Sequence, residues 1–234
     1  MRSLLWCYNE EKYAARRLFR QKGGVRAAVN RKGILEMTER EKMLQGLLYD
    51  ANYDEELLKE RERCKDLCFA YNQLRPSLVG EQEKIIRQLF GKTGKRFYIT
   101  APFWCDYGNN IEIGEDFYTN HNCTILDGAK VTFGDHVFIA PNCVFSTAGH
   151  PLDAEQRNQG LEYAYPITVG DNVWIGASVT VLPGVTIGSN TIIGAGSVVN
   201  RDIPDGVVAV GNPCRVLRKI TEEDKKKYWK GENK

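Results

Sequence analysis

Apolar residues return at every sixth position from Val169 to Pro204, and this period sets the architecture. Read in sixes, the stretch runs VGDNVW, IGASVT, VLPGVT, IGSNTI, IGAGSV and VNRDIP. Val169, Ile175, Val181, Ile187, Ile193 and Val199 open the units. A small or β-branched residue follows four places later: Val173, Val179, Val185, Thr191, Ser197 and Ile203. Gly170, Gly176, Gly188 and Gly194 come just after the opening residue, where a tight corner gains from a missing Cβ. Such a pattern predicts a parallel β-helix in which each unit is one short strand plus a corner and three units make a coil. Upstream, Ile113, Thr119 and Ile125 keep the same step, and Phe133, Ile139 and Phe145 resume it after a slip of two residues near Val131 and Thr132. The run breaks between Ser146 and Pro166, then restarts at Ile167. An excursion from a strict solenoid is where function is expected, because insertions between repeats form loops on one face.

Other segments carry a helical period. The region 37–92 reads as helices, with capping boxes at Thr38 to Glu41 and Asn52 to Glu55. Leu57, Leu58, Cys64, Leu67, Cys68 and Tyr71 share one face of the second helix. Pro76 ends that helix, and Glu81 to Phe90 forms a further short one. The β-helix is expected over 93–218, with its excursion at 146–168. Thr221 to Asp224 caps a terminal helix within 219–234, expected to lie across the last coil and cover its exposed edges.

The first 36 residues differ in charge. Nine Lys or Arg stand against Glu10, Glu11 and Glu36, a net of +6, which leaves −4 for the other 198 residues of a chain at +2. A basic arm for an anionic partner and an Arg-rich, transit-like peptide both fit. The preferred reading is that 1–36 is not part of the native protein and that translation starts at Met37, with Arg31-Lys32-Gly33 encoded by a purine-rich ribosome-binding tract. Intact mass of the protein made from its own gene tests this.

Composition adds exclusions. With 26% charged and 42% hydrophobic residues, neither disorder nor a membrane protein is indicated, and no apolar stretch nears the roughly 18 residues of a bilayer span. A net charge of +2 supplies no field for nucleic acid. The seven cysteines contain no C-x-x-C pair; Cys123 and Cys143 take inward repeat positions and Cys64 and Cys68 share a helix face, so packing is the expected role. In the absence of a clear secretory signal, a cytoplasmic location is expected.

Chemistry concentrates at the excursion. The three histidines are His121, His136 and His150. His150, in STAGHP, stands at the root of the break beside small residues, and an imidazole neutral near pH 7 can take a proton from an alcohol. His136 falls at a corner; His121, between Asn120 and Asn122, is open to either a structural or a functional reading.

The segment FWCDYGNNIEIGEDFYTNHNCTILD (103 to 127), continuing through IAPNCVFSTAGHPLD, PITVGDNVWIGASVTVLPGVTIG, IGAGSVV and VGNPCRVLRKI, resembles the maltose and galactoside O-acetyltransferases over about residues 38–230. The resemblance implies a left-handed parallel β-helix and a homotrimer with active sites between subunits. It also implies acetyl transfer from acetyl-CoA to a sugar hydroxyl, with no metal required. On its pattern His150 is the general base and Asn120 steadies the oxyanion. Asp50, Asp106, Asn120 and Glu162 contact the acceptor. Trp174, Ala177, Ala195, Asn200, Arg201, Arg215 and Arg218 line the donor site; the three arginines are suited to phosphate oxygens. CDYG around Asp106 is similar to the maltose branch. Gly128 and Glu162 depart from the galactoside branch, which has an acidic and an apolar residue there, so a glucose- or maltose-like acceptor is favoured. Alternatives are an acetyltransferase of the same fold acting on an antibiotic or on serine, a metal enzyme with three converging histidines, and a non-catalytic β-helix protein.

Overall fold

The computed structural model describes residues 37–227. The basic segment with its proposed start at Met37, Cys7 and the tail beyond Lys227 lie outside that span, except Met37 itself. The fold below is that of the compact unit beginning at Glu39. Helices α1 (Glu39–Leu44), α2 (Glu55–Gln73) and α3 (Val79–Leu89) precede the coils, with the two-residue strand β1 (Tyr49–Asp50) between α1 and α2.

The N-cap of α2 is Asp54, whose carboxylate accepts the Leu57 N–H at 2.9 Å, and not Asn52 as the capping-box spacing predicts. Asn52 is committed elsewhere: its amide donates to the Gly160 carbonyl at 2.9 Å. Leu57, Cys64, Cys68 and Tyr71 are buried along α2, as the period predicts, but Leu58 is 42% exposed.

Five coils follow. The first is β2 (Phe97–Ile99), β3 (Phe103–Cys105) and β4 (Ile111–Ile113); the second is β5 (Phe117–Thr119), β6 (Cys123–Leu126) and β7 (Val131–Phe133). The third runs through β8 (Phe138–Ile139) and β9 (Val144–Ser146). It then leaves the solenoid as β10 (Ala148–Gly149), α4 (Ala154–Asn158) and β11 (Leu161–Ala164), and closes at β12 (Ile167–Val169). The fourth is β13 (Trp174–Ile175), β14 (Thr180–Val181) and β15 (Thr186–Ile187); the fifth begins β16 (Ile192–Ile193) and β17 (Val198–Val199). Like-placed strands pair in parallel, giving three sheets ordered β2-β5-β8-β13-β16, β3-β6-β9-β14-β17 and β4-β7-β12-β15. Every unit-opening residue and its partner four places on is buried between Val169 and Ile203, each large aliphatic contributing roughly 1.5–3 kcal/mol.

Gly170 is needed for a different reason from the one its corner position suggests. Its φ is not positive, but a Cβ there would lie 2.8 Å from the Ser189 nitrogen of the next coil. Left-handed corners are shared between glycines such as Gly184 and Gly196 and non-glycine residues, among them Asn122, Asn142, Asn172 and Asn190 at φ between 54° and 61°, which asparagine tolerates better than most residues.

Both ends of the solenoid are covered. At the first coil, the Asn72 side chain donates to the Phe103 carbonyl at 3.0 Å and accepts the Phe103 N–H at 2.9 Å, satisfying the edge of β3 from α2. At the other end β18 (Val207–Val210) joins β16, and β19 (Arg215–Lys219) folds back antiparallel on β18. Here the edge is met by a strand. The capped terminal helix is a 3-10 helix over Glu222–Lys226, with the Thr221/Asp224 capping box in place.

Candidate active site

One corner of the solenoid is enlarged in three successive coils. Where β12, β13 and β14 pair with β15, β16 and β17, partners lie 18 positions apart (Val169 with Ile187), whereas Ile113 pairs with Phe133 across 20. The added residues fall between β3 and β4 and between β6 and β7, and the excursion leaves the same corner between β9 and β12. This is the two-residue slip of the sequence, and it builds a site. β11 is held between β10 and β1 in an antiparallel sheet, with Tyr49 opposite Glu162 and Asp50 opposite Leu161. Residues distant in the chain are thereby gathered around the excursion.

His150 Nδ1 lies 3.2 Å from the Leu161 carbonyl oxygen. A carbonyl only accepts, so Nδ1 carries a proton, and in the neutral tautomer the lone pair is on Nε2. Nε2 is 3.7 Å from Glu162 Oε1, and Glu162 Oε2 accepts the Tyr49 hydroxyl at 3.1 Å. Burial and the Glu162 charge push the Tyr49 hydroxyl well above its ordinary value, so it stays a donor. The Asp106 carboxyl is raised, first by burial and against the lowering pull of Arg61, with Glu162 adding repulsion. Arg61 donates to the Tyr107 hydroxyl at 2.9 Å and to the Ala51 carbonyl. Asp127 accepts the Asp106 and Tyr107 backbone N–H groups at 3.0 and 2.9 Å, and burial pushes its carboxyl up to about 7. Gly128 is closely approached: a Cβ there would lie 3.2 Å from the Tyr49 hydroxyl and 3.3 Å from the Ala164 Cβ, tight contacts to which those side chains would have to yield. Asp50 stands at this sheet too, its Oδ1 accepting the Asn52 and Tyr53 N–H groups at 3.1 and 3.0 Å.

His150, Glu162, Asp106 and Asp50 thus share one side of the chain. Asn120 does not join them. It heads a column at a different corner, where its N–H bonds the Ile139 carbonyl, that of Ala140 bonds Ile175 and that of Gly176 bonds Ile193. Ala177 and Ala195 follow on that column, with the Gly196 N–H on the Ala177 carbonyl. Asn120 and Trp174 line an open cleft of about 400 Å³ with Tyr118 and Phe138; its lining does not include His150. Asn120 Oδ1 accepts the His121 N–H at 2.7 Å, and its amide nitrogen has no partner among the described residues.

Of the remaining donor-site candidates, Asn200 accepts from Arg215 at 3.2 Å, Arg201 is exposed, and Arg218 makes a forked pair with Asp224 at 2.7 and 2.8 Å. The three histidines do not converge. His121 Nδ1 faces the Ala101 carbonyl at 2.5 Å, His136 faces Asp116 at 3.4 Å, and no histidine belongs to a potential metal cluster among the described residues. Tyr49, Arg61 and Asp127 escaped the sequence reading. The slip in period beside Asp127 was the one available signal.

A parallel β-helix of hexapeptide repeats with a helical cap at one end and a loop excursion from one corner is the architecture of hexapeptide-repeat acyltransferases. Residues 42–94 match the maltose acetyltransferase hexapeptide capping motif and 166–201 the bacterial transferase hexapeptide of six repeats. The galactoside O-acetyltransferase of Escherichia coli is 48% identical over 75% of this chain and 87% of its own length. The crystal structure of a maltose O-acetyltransferase from Clostridium difficile is 53% identical, with a TM-score of 0.78 over 80% of this chain and 99% of that one. A galactoside acetyltransferase solved with coenzyme A is 46% identical, with a TM-score of 0.79 over 83% and 97%. The chain belongs to the maltose and galactoside O-acetyltransferase family.

Proposed function

We propose that this acetyltransferase moves the acetyl group of acetyl-CoA to a hydroxyl of a glucose- or maltose-like sugar, directly between the two bound substrates. The observation that carries the reading is His150, whose Nδ1 is anchored on a carbonyl while Nε2 opens beside carboxylates that suit sugar hydroxyls. Nε2 takes the proton of the acceptor hydroxyl as its oxygen attacks the thioester carbonyl. Asn120 donates to the oxyanion from its unpartnered amide. When the carbon–sulfur bond breaks, the imidazolium returns the proton to the CoA thiolate. Glu162, at 3.7 Å, favours the imidazolium while it lasts. Asp50, Asp106 and Glu162 hold the sugar. The column of Ala177 and Ala195 beside Trp174 receives the pantetheine arm, and Asn200, Arg201, Arg215 and Arg218 the phosphates; Arg218 exchanges Asp224 for a phosphate on binding.

His150 and the Asn120 cleft belong to different corners of one chain, which supports a homotrimer whose sites combine two copies. Six free cysteines among the described residues suit the reducing cytoplasm, and no described helix is long and apolar enough to cross a membrane.

Thiol release from acetyl-CoA is the test, measured with glucose, maltose, a galactoside, serine and chloramphenicol, with His150→Ala as control. Release with glucose or maltose that disappears in His150→Ala is expected. Release with serine or chloramphenicol alone overturns the sugar acceptor, and release that survives in His150→Ala overturns the base.

A further inference from the structure

Three buried thiols meet where α2 lies on the first coil. Cys64 and Cys68, one helical turn apart, and Cys105 at the end of β3 bring their sulfurs within 4.8 Å of one another. Cys64 Sγ is 3.5 Å and Cys68 Sγ 3.8 Å from Cys105 Sγ. Zinc–thiolate bonds of about 2.3 Å in tetrahedral geometry set neighbouring sulfurs about 3.8 Å apart, so two edges of the tetrahedron are nearly in place. Small apolar packing accounts for cysteine at such positions, but not for the carboxylate beside them. Asp127 is fully buried. Its Oδ1 holds the N–H groups of the two residues after Cys105, while Oδ2 has no hydrogen-bond partner among the described residues. An unsatisfied buried acceptor costs about 1–3 kcal/mol.

We propose that Cys64, Cys68 and Cys105 form a thiolate site for a tetrahedral cation of the zinc class, with a water held by Asp127 in the fourth position. Binding forms three sulfur–metal bonds and releases the thiol protons to solvent, with no change of oxidation state. The ion ties α2 to β3 and fixes the enlarged corner that carries Asp106. The site is buried between α2 and β3, outside the acetyl-transfer step and independent of the acceptor.

The test is a titration of the reduced, chelator-treated full chain with Co2+. One ion per chain is expected, with thiolate-to-metal charge-transfer absorption and the visible bands of tetrahedral Co2+, both removed by Zn2+. Cys64→Ser and Cys68→Ser should lose the charge-transfer band, whereas Cys7→Ser and Cys214→Ser should keep it. Asp127→Asn should weaken Co2+ binding by at least the about 10–100-fold typical of a lost supporting partner. Zn2+ should raise the Tm of the unmutated chain, as any ligand of the folded state does, and leave that of Cys68→Ser unchanged. The unmutated chain needs no folding control: absence of the band at stoichiometric Co2+ overturns the proposal. Persistence of the band in both Cys64→Ser and Cys68→Ser overturns it equally.

Discussion

In the proposed reaction, the orientation of one imidazole decides where the acceptor proton goes. With Nδ1 held by the Leu161 carbonyl, His150→Ala should lower turnover about 10²–10⁴-fold, the usual worth of a general base, while leaving CoA affinity measured by calorimetry unchanged. Asp127 makes a second residue-scale prediction. Burial raises its carboxyl from the ordinary 3.8 to about 7, so the folded chain binds this proton more tightly than the unfolded one. Its contribution to stability is full below about pH 4 and is lost as pH rises through 7. In metal-free protein, urea unfolding should show that decline, and Asp127→Asn should flatten it. The place of His150 at the root of the excursion was legible from the broken repeat, and the structure puts it beside Leu161 and Glu162; its role as base is the proposal. Tyr49 and Arg61 were not legible, because neither is in phase with anything; only the pairing of β1 with β11 brings Tyr49 to Glu162, 113 residues away.

At the scale of elements, the six-residue period was read nearly residue for residue, since every opening position faces the interior. The helix start was misread for a definable reason. Asp50, Asn52 and Asp54 all suit a cap, and the contest was settled by partners that local spacing does not reveal: Gly160 takes the Asn52 amide, leaving Asp54 to cap α2. The same kind of partnership protects the exposed edge of the first coil. Asn72→Ala removes both bonds to the Phe103 backbone. It should destabilise the fold by about 1–3 kcal/mol for each backbone group left unpaired, read as a lower urea midpoint with an unchanged slope.

For the whole molecule, the separation of His150 from the Asn120 cleft makes assembly a kinetic question. His150→Ala and Asn120→Ala should each be nearly inactive alone. Unfolded together in equal amounts and refolded, they should regain about a quarter of full activity if each site draws the two residues from different copies of a cyclic trimer assembled at random. No recovery would mean that both residues come from the same copy. Assembly leaves little trace in a repeat, because a residue facing solvent and one facing another copy obey the same period. The widened corner between β3 and β4, β6 and β7, and β9 and β12 has a further consequence. The coils return to register immediately after each addition, so the solenoid behaves like a rack in which one slot accepts inserts of different length. Acceptor preference can therefore diverge, in nature or by grafting, while the column that would hold the acetyl donor stays unaltered.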